Sequence, residues 1–257
     1  MRPFRLFIGM GLLFVFLGGC AGGWPQARLD TYLGPQPKPE KGLTQLADLP
    51  GGPVKAGLLV INDTAAQDSA PKLSKEALAS LTKHVQAQLM HQVPIEVATV
   101  ISPTAQVAPT ENLATVLQLA KDQGMDYIIM TILSSTEIEV PDRLPLQSSG
   151  QGIIGRGLLV GYRAENFALA ELALVDVEAK KVVARADGQA WASLERLDVP
   201  LESNVYPVVR LGLEVPPIYP TEENRAHDVM RAVASSAAIN QAVMHLKEAW
   251  DNPEYKS

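Results

Sequence analysis

The single cysteine of this chain, Cys20, stands directly behind a short apolar run, and this pairing limits what the first part of the chain can be. Arg2 and Arg5 make a positive start, and Leu6 to Leu17 is apolar apart from Gly9 and Gly11. These twelve residues are too few to cross the roughly 30 Å of a bilayer's hydrocarbon as a helix. They match the hydrophobic region of a secretory signal. Gly18 and Gly19 keep the chain slim and extended, as a peptidase needs just before its cut. The alternative is a plain secretory signal, or a short anchor helix, with a cysteine there by chance. With no second cysteine the chain forms no internal disulfide. A domain this large needs none, so an oxidising compartment stays open.

Leu17-Gly18-Gly19-Cys20 resembles the bacterial lipobox. The resemblance implies cleavage between Gly19 and Cys20, a thioether-linked diacylglycerol on Cys20 and an acyl group on its new amino terminus. Two or three acyl chains anchor firmly, since each buried methylene contributes about 0.8 kcal/mol. Aspartate after the cysteine resembles an inner-membrane retention signal. Ala21 stands there instead, which implies the outer membrane of a Gram-negative cell, with the domain facing the periplasm. The net charge is −6, and loss of Arg2 and Arg5 leaves 20 basic residues against 28 acidic ones, or −8. Such a chain is repelled by nucleic acid and by anionic headgroups. Membrane attachment then rests on lipid or burial, not on a basic patch.

The mature chain has the composition of a globular protein, with 19% charged and 47% apolar residues. Aromatics are only 5%, so aliphatic residues and alanine must fill the core. Residues 21–53 hold six prolines and six glycines, and residues 20–53 read as a lipidated tether. Trp24, Leu29, Tyr32 and Leu33 are unusually apolar for a tether; docking on the domain is the preferred reading, over a partner or the lipid surface.

Residues 54–250 read as one domain and residues 251–257 as a tail. Val54–Asn62 has the pattern of a buried strand. Ser74 caps a helix to Gln92 with Leu78, Leu81, Val85 and Leu89 on one face, and Pro94 ends it. Ile95–Ile101 follows as a strand. Thr110 caps a second helix carrying Leu113, Val116, Leu117 and Ala120, with Gly124 at its C′ position. Asp126–Val140 is β-branched and extended. Residues 148–163 are a glycine-rich loop. Phe167–Val177 and Lys181–Ala192 form a hairpin about Glu178-Ala179-Lys180. Residues 195–220 carry five prolines and read as irregular. Thr221 caps a last helix with Val229, Val233, Ala237 and Met244 along one side. The fold class is α/β (α+β): a mixed β-sheet in β-α-β-α-β order, a following β-hairpin and a C-terminal helix packed on the sheet.

Four stretches resemble a family of periplasmic domains: VKAGLLVIND, LAKDQGMDYIIMTIL, the glycine-rich run with ELALVDVEAKKVVARADGQA, and INQAVMHLKEAW. The family comprises the curli-secretion lipoproteins, the lipoprotein activators of penicillin-binding proteins and the N-terminal domain of the Tol translocation protein. The resemblance implies a fold and a place of action, and no catalytic or binding residue. The turn here is Glu178-Ala179-Lys180-Lys181 where that family has Thr-Gly-Glu, and segment 195–220 is unlike it. Both departures count against a pore-forming role.

Gly150-Gln151-Gly152-Ile153-Ile154-Gly155 matches G-x-G-x-x-G, but Leu158–Leu174 after it reads as strand, where a dinucleotide site needs a helix. A nucleotide cofactor is not expected. His84 and His91 lie seven apart on one helix, about 10 Å along its axis, too far to share a metal. His227 and His245 complete the four histidines, solvated helix faces are their default, and no metal is expected. No G-x-S-x-G is present. Glu137 and Glu139 alternate on a strand and are expected to face water; no catalytic residue is assigned. Ile153, Ile154, Leu158, Leu159 and Val160 form the best candidate interaction loop, with packing on the sheet as the equal alternative. The expected function is that of a membrane-anchored, non-catalytic protein-binding or assembly module in envelope biogenesis or secretion. Its partner would be another envelope protein or a second copy, with no cofactor beyond the acyl groups on Cys20. The alternatives are a periplasmic hydrolase with an unrecognised site and an oligomeric secretion or pore component.

Overall fold

The computed structural model describes residues 23–34, 53–101, 113–145, 158–197, 207–212 and 215–251. Gly19, Cys20, Thr110, the G-x-G-x-x-G run with Ile153 and Ile154, and residues 252–257 lie outside the described residues. A six-stranded mixed sheet carries the fold, in the order β2-β1-β3-β4-β5-β6. Strand β1 (Val54–Asp63) pairs in parallel with β2 (Ile95–Val100) on one side and with β3 (Tyr127–Pro145) on the other. Parallel strands need crossovers, supplied here by α2 (Lys75–Gln92) and α3 (Leu113–Asp122); a shorter helix, α1 (Leu29–Leu33), precedes them all. Beyond β3 the sheet is antiparallel through β4 (Leu158–Asp176), β5 (Lys181–Leu197) and β6 (Val208–Arg210). Covered on both faces, β1 is buried at nearly every position, as its unbroken apolar run requires.

The helix ends follow local chemistry. Ser74 Oγ accepts a hydrogen bond from the Ala77 amide at 3.1 Å, which satisfies an orphan donor at the start of α2. At the end of α3, Gly124 turns to φ +66°, and the amides of Gly124 and Met125 donate to the carbonyls of Lys121 and Ala120. This is a Schellman closure, and glycine enters it without a Cβ penalty.

One face of the sheet packs against α2 and α4 (Ala226–Asp251). The strand residues beneath α4 are small: Ala164, Ala168 and Ala170 on β4, then Ala184, Ala186, Gly188, Ala190 and Ala192 on β5. The helix answers with Ala226, Ala234, Ala238 and Ala242 among Met230, Ile239, Val243 and Leu246. Small residues on both sides let helix and strand backbones approach closely. At Gly188 a Cβ would stand 2.2 Å from the Ala238 carbonyl oxygen and 2.4 Å from the Ala242 nitrogen. The other face is covered by α1 and α3, over Leu59, Ile61, Ile128, Met130, Ile132, Ala173 and Val175.

Several sequence expectations are corrected. Of the two readings of residues 158–163, the end of a glycine-rich loop gives way to the strand reading of Leu158–Leu174: they open β4, where the backbones of Leu158, Leu159 and Val160 pair with Pro145, Leu144 and Arg143. Pairing satisfies backbone groups that a loop would leave to water. β3 runs on to Pro145 for the same reason. The segment 195–220 is not wholly irregular, since it holds the end of β5, strand β6 and a bridge from Val209 to Ile218. The last helix starts at Ala226, after a 3-10 turn at Glu223–Arg225, and not at Thr221. Its buried side is also not the one expected: Val229, Val233 and Ala237 flank the core and Met244 is exposed.

Candidate functional site

Two constellations of partly buried charged groups stand out among the described residues. The first clamps the N-terminal segment across the sheet. Helix α1 has no side-chain cap of its own. The Glu171 carboxylate, on β4, takes that role, accepting from the amides of Arg28 at 2.6 Å and Leu29 at 3.1 Å. Arg28 Nε donates to Asp63 on β1 at 2.8 Å, and Arg185 on β5 donates to Asp30 at 2.7 Å. Thr136 Oγ1 donates to the Gly23 carbonyl at 2.7 Å, and the Trp24 ring meets Phe167 edge-on at 5.2 Å. Leu29, Tyr32 and Leu33 are buried beneath this frame, and each such side chain contributes roughly 2 kcal/mol on leaving water. The segment therefore docks on the domain.

Burial shapes the electrostatics here. Desolvation raises the pKa of Glu171. The Arg28 and Leu29 amides oppose this, and the charges of Asp187 and Asp30 add to it, so the net shift is upward. Tyr32 is also raised, first by burial and then by the charge of Asp63.

The second constellation joins β3 to α4. Glu137 is not the water-facing side chain expected from its strand position; only Glu139 is exposed. Glu137 lies under the start of α4, where its carboxylate binds His227 Nδ1 at 2.7 Å and Arg231 Nε at 2.5 Å. The other ring nitrogen of His227 lies 3.4 Å from the Tyr162 hydroxyl, which accepts from Arg196 at 3.0 Å. Burial alone would raise the pKa of Glu137, but hydrogen bonds from His227 and Arg231, with their charges, hold it below the ordinary range. An open cleft of about 590 Å³ lies beside Arg231, lined by Lys72, Ser74, Glu76, Asn224, Arg225 and Asp228. Asp228 ties the two helix starts together by accepting from the Ser74 amide and hydroxyl at 3.1 and 2.5 Å.

The remaining histidines stand apart. His84 meets Asn240 at 2.7 Å between α2 and α4, His245 meets the Asp187 carbonyl at 2.6 Å, and His91 is exposed. Among the described residues, no three His, Cys, Asp or Glu side chains converge as a metal site would require. No helix there is long and apolar enough to cross a membrane. Sequence reasoning missed Glu137, Glu171 and Asp63. The spacing of Leu29, Tyr32 and Leu33, one helical turn, was the available signal for the docked segment.

No protein-family model matches the chain, and no curated protein matches it. Solved structures do. PelC from Paraburkholderia phytofirmans, a dodecamer, is 15% identical over 77% of this chain and 90% of that one, at a TM-score of 0.32. The C-terminal domain of LpoB from Salmonella enterica is 12% identical over 57% of this chain and 90% of its own, at 0.27. The hypothetical protein CT253 from Chlamydia trachomatis is 11% identical over 77% and 99%, at 0.37. At these values the similarities carry no functional argument.

Proposed function

We propose that this chain is a lipid-anchored protein of the bacterial envelope, attached through Cys20 to the outer membrane, and that its periplasmic domain is a non-catalytic binding or assembly module. One observation carries the reading: residues 23–33, which begin three positions after Cys20, are held on the sheet, so an acylated Cys20 and the folded domain act as one unit. A domain fixed to its anchor presents one chosen surface to other envelope proteins or to a second copy. The Cys20→Ser protein, expressed in a Gram-negative host, is expected to lose palmitate label and to move to the soluble periplasmic fraction after a carbonate wash. An unlabelled wild type, or a variant that still sediments, would rule the anchor out. Crosslinking in intact cells reads the binding half; a chain with no specific neighbour counts against it.

A second reading is favoured by the Glu137–His227–Tyr162 arrangement, in which one ring nitrogen of the imidazole meets a carboxylate and the other a hydroxyl, as acid–base hydrolysis would use. Arg231 argues against it, because its guanidinium neutralises the carboxylate that would have to polarise His227. On the non-catalytic reading, His227→Ala complements a deletion strain as well as wild type. Failure to complement by a variant with native circular dichroism would favour hydrolysis.

A further inference from the structure

We propose that the sheet face bearing Trp24, Phe167 and Trp191 lies against the lipid headgroup–acyl boundary of the leaflet that holds the Cys20 anchor. The inference rests on the lipid-anchor reading above and adds the orientation of the domain and the surface that touches lipid. Phe167 on β4 and Trp191 on β5 are directly paired across the sheet, so they share a face. Trp24 packs edge-on to Phe167, on the same side. Trp24 and Trp191 are 43% and 41% exposed, although both are large and apolar. Two steps further along β3 on this face stands Val140, also 43% exposed.

Chain length decides the occupant. Only residues 21 and 22 separate Cys20 from Gly23, whose carbonyl is held by Thr136. At no more than about 3.6 Å per residue, three steps reach about 11 Å whatever their conformation. Trp24 and its ring partners are thus confined next to the membrane surface. Tryptophan favours that boundary, because its ring is largely apolar and its N–H still finds a polar partner. Next to Phe167 on this face comes Glu165, paired with Ile138, and then Arg163, paired with Val140. Arg163 and Arg210 each lie 3.5 Å from Glu195, so the two arginines are balanced by Glu165 and Glu195 and the patch carries no excess of basic residues. Its occupant is therefore a zwitterionic lipid surface, engaged by burial and not by charge.

Trp191 makes the test specific, since no short tether from Cys20 reaches it except through the docked fold. The acylated protein is reconstituted in phosphatidylcholine vesicles with and without brominated acyl chains, and flotation is checked first. A variant with Trp191 alone (Trp24→Phe, Trp250→Phe) is expected to lose roughly half its emission to bromine, as a ring at the acyl boundary should. A variant with Trp250 alone, whose ring packs on the opposite face, is expected to lose almost none. Floating protein whose Trp191 is unquenched overturns the orientation and leaves the anchor standing. Blue-shifted, unquenched Trp191 emission that depends on the protein-to-lipid ratio overturns it in favour of a second copy on this face. Protein that does not float overturns anchor and orientation together.

Discussion

Replacing Gly188 by alanine is expected to destabilise the fold by about 3 kcal/mol, at the upper end of the usual range for overpacking. The added methyl has nowhere to go. It would meet main-chain atoms of α4, the Ala238 carbonyl oxygen at 2.2 Å and the Ala242 nitrogen at 2.4 Å, and no rotamer change relieves a backbone clash. The helix must lift by about an ångström, and such a gap forfeits a quarter to a half of each dispersion contact. Ala184, Ala186, Ala190 and Ala192 would then lose contact with the helix, because small side chains cannot follow it. Guanidinium unfolding should show the loss as a lower midpoint. Gln189→Ala, one residue away and exposed, is the control and should change stability by no more than about 0.5 kcal/mol. Equal midpoints for wild type and Gly188→Ala would mean that α4 does not sit on β5.

Glu137→Ala is expected to cost about 2–3 kcal/mol, less than the full value for breaking a buried ion pair because His227 keeps some contact with water. The loss arises mainly at Arg231, whose side chain is 11% exposed and would be left without its counter-ion. The pH dependence has a definite sign. With its folded pKa below the ordinary carboxylate value, Glu137 stabilises fully above the unfolded pKa. That contribution is lost as the pH falls through the folded pKa, since the unfolded chain takes the proton first. Glu171 acts the other way: its raised pKa means that its contribution is full at low pH and declines as the pH rises to the folded value. Urea midpoints measured from about pH 3 to pH 6, spanning the carboxylate range, should therefore separate the two. Glu137→Gln flattens the acid limb, and Glu171→Gln steepens it. A Glu137→Gln curve parallel to wild type would show that the ion pair does not form.

Much of this architecture is legible in the sequence because its causes are local. Ser74 caps α2 through an amide three residues away, and Gly124 closes α3 through carbonyls three and five residues back from the amides that bond them. The turn at Glu178-Ala179-Lys180 follows from its neighbours, with the Ala179 amide donating to Asp176. The choice of buried face on α4 was not legible. The sequence reading selects Val229, Val233, Ala237 and Met244, whereas the buried face sets Ala226, Ala234, Ala238 and Ala242 among Met230, Ile239, Val243 and Leu246, and only the facing alanines of β5 show that the helix lies close on the sheet there.

The polar sites divide in the same way. Periodicity, capping and turn chemistry, each acting within a few residues, set which segments are helix or strand and in what order they come. Folding alone decided that Glu137 would meet Arg231, 94 positions on, and that Glu171 would cap a helix 143 positions before it. A carboxylate on an alternating strand carries no local mark of whether water or a helix will lie above it. Its environment is set by the layer packed on its face, and that layer comes from distant parts of the chain.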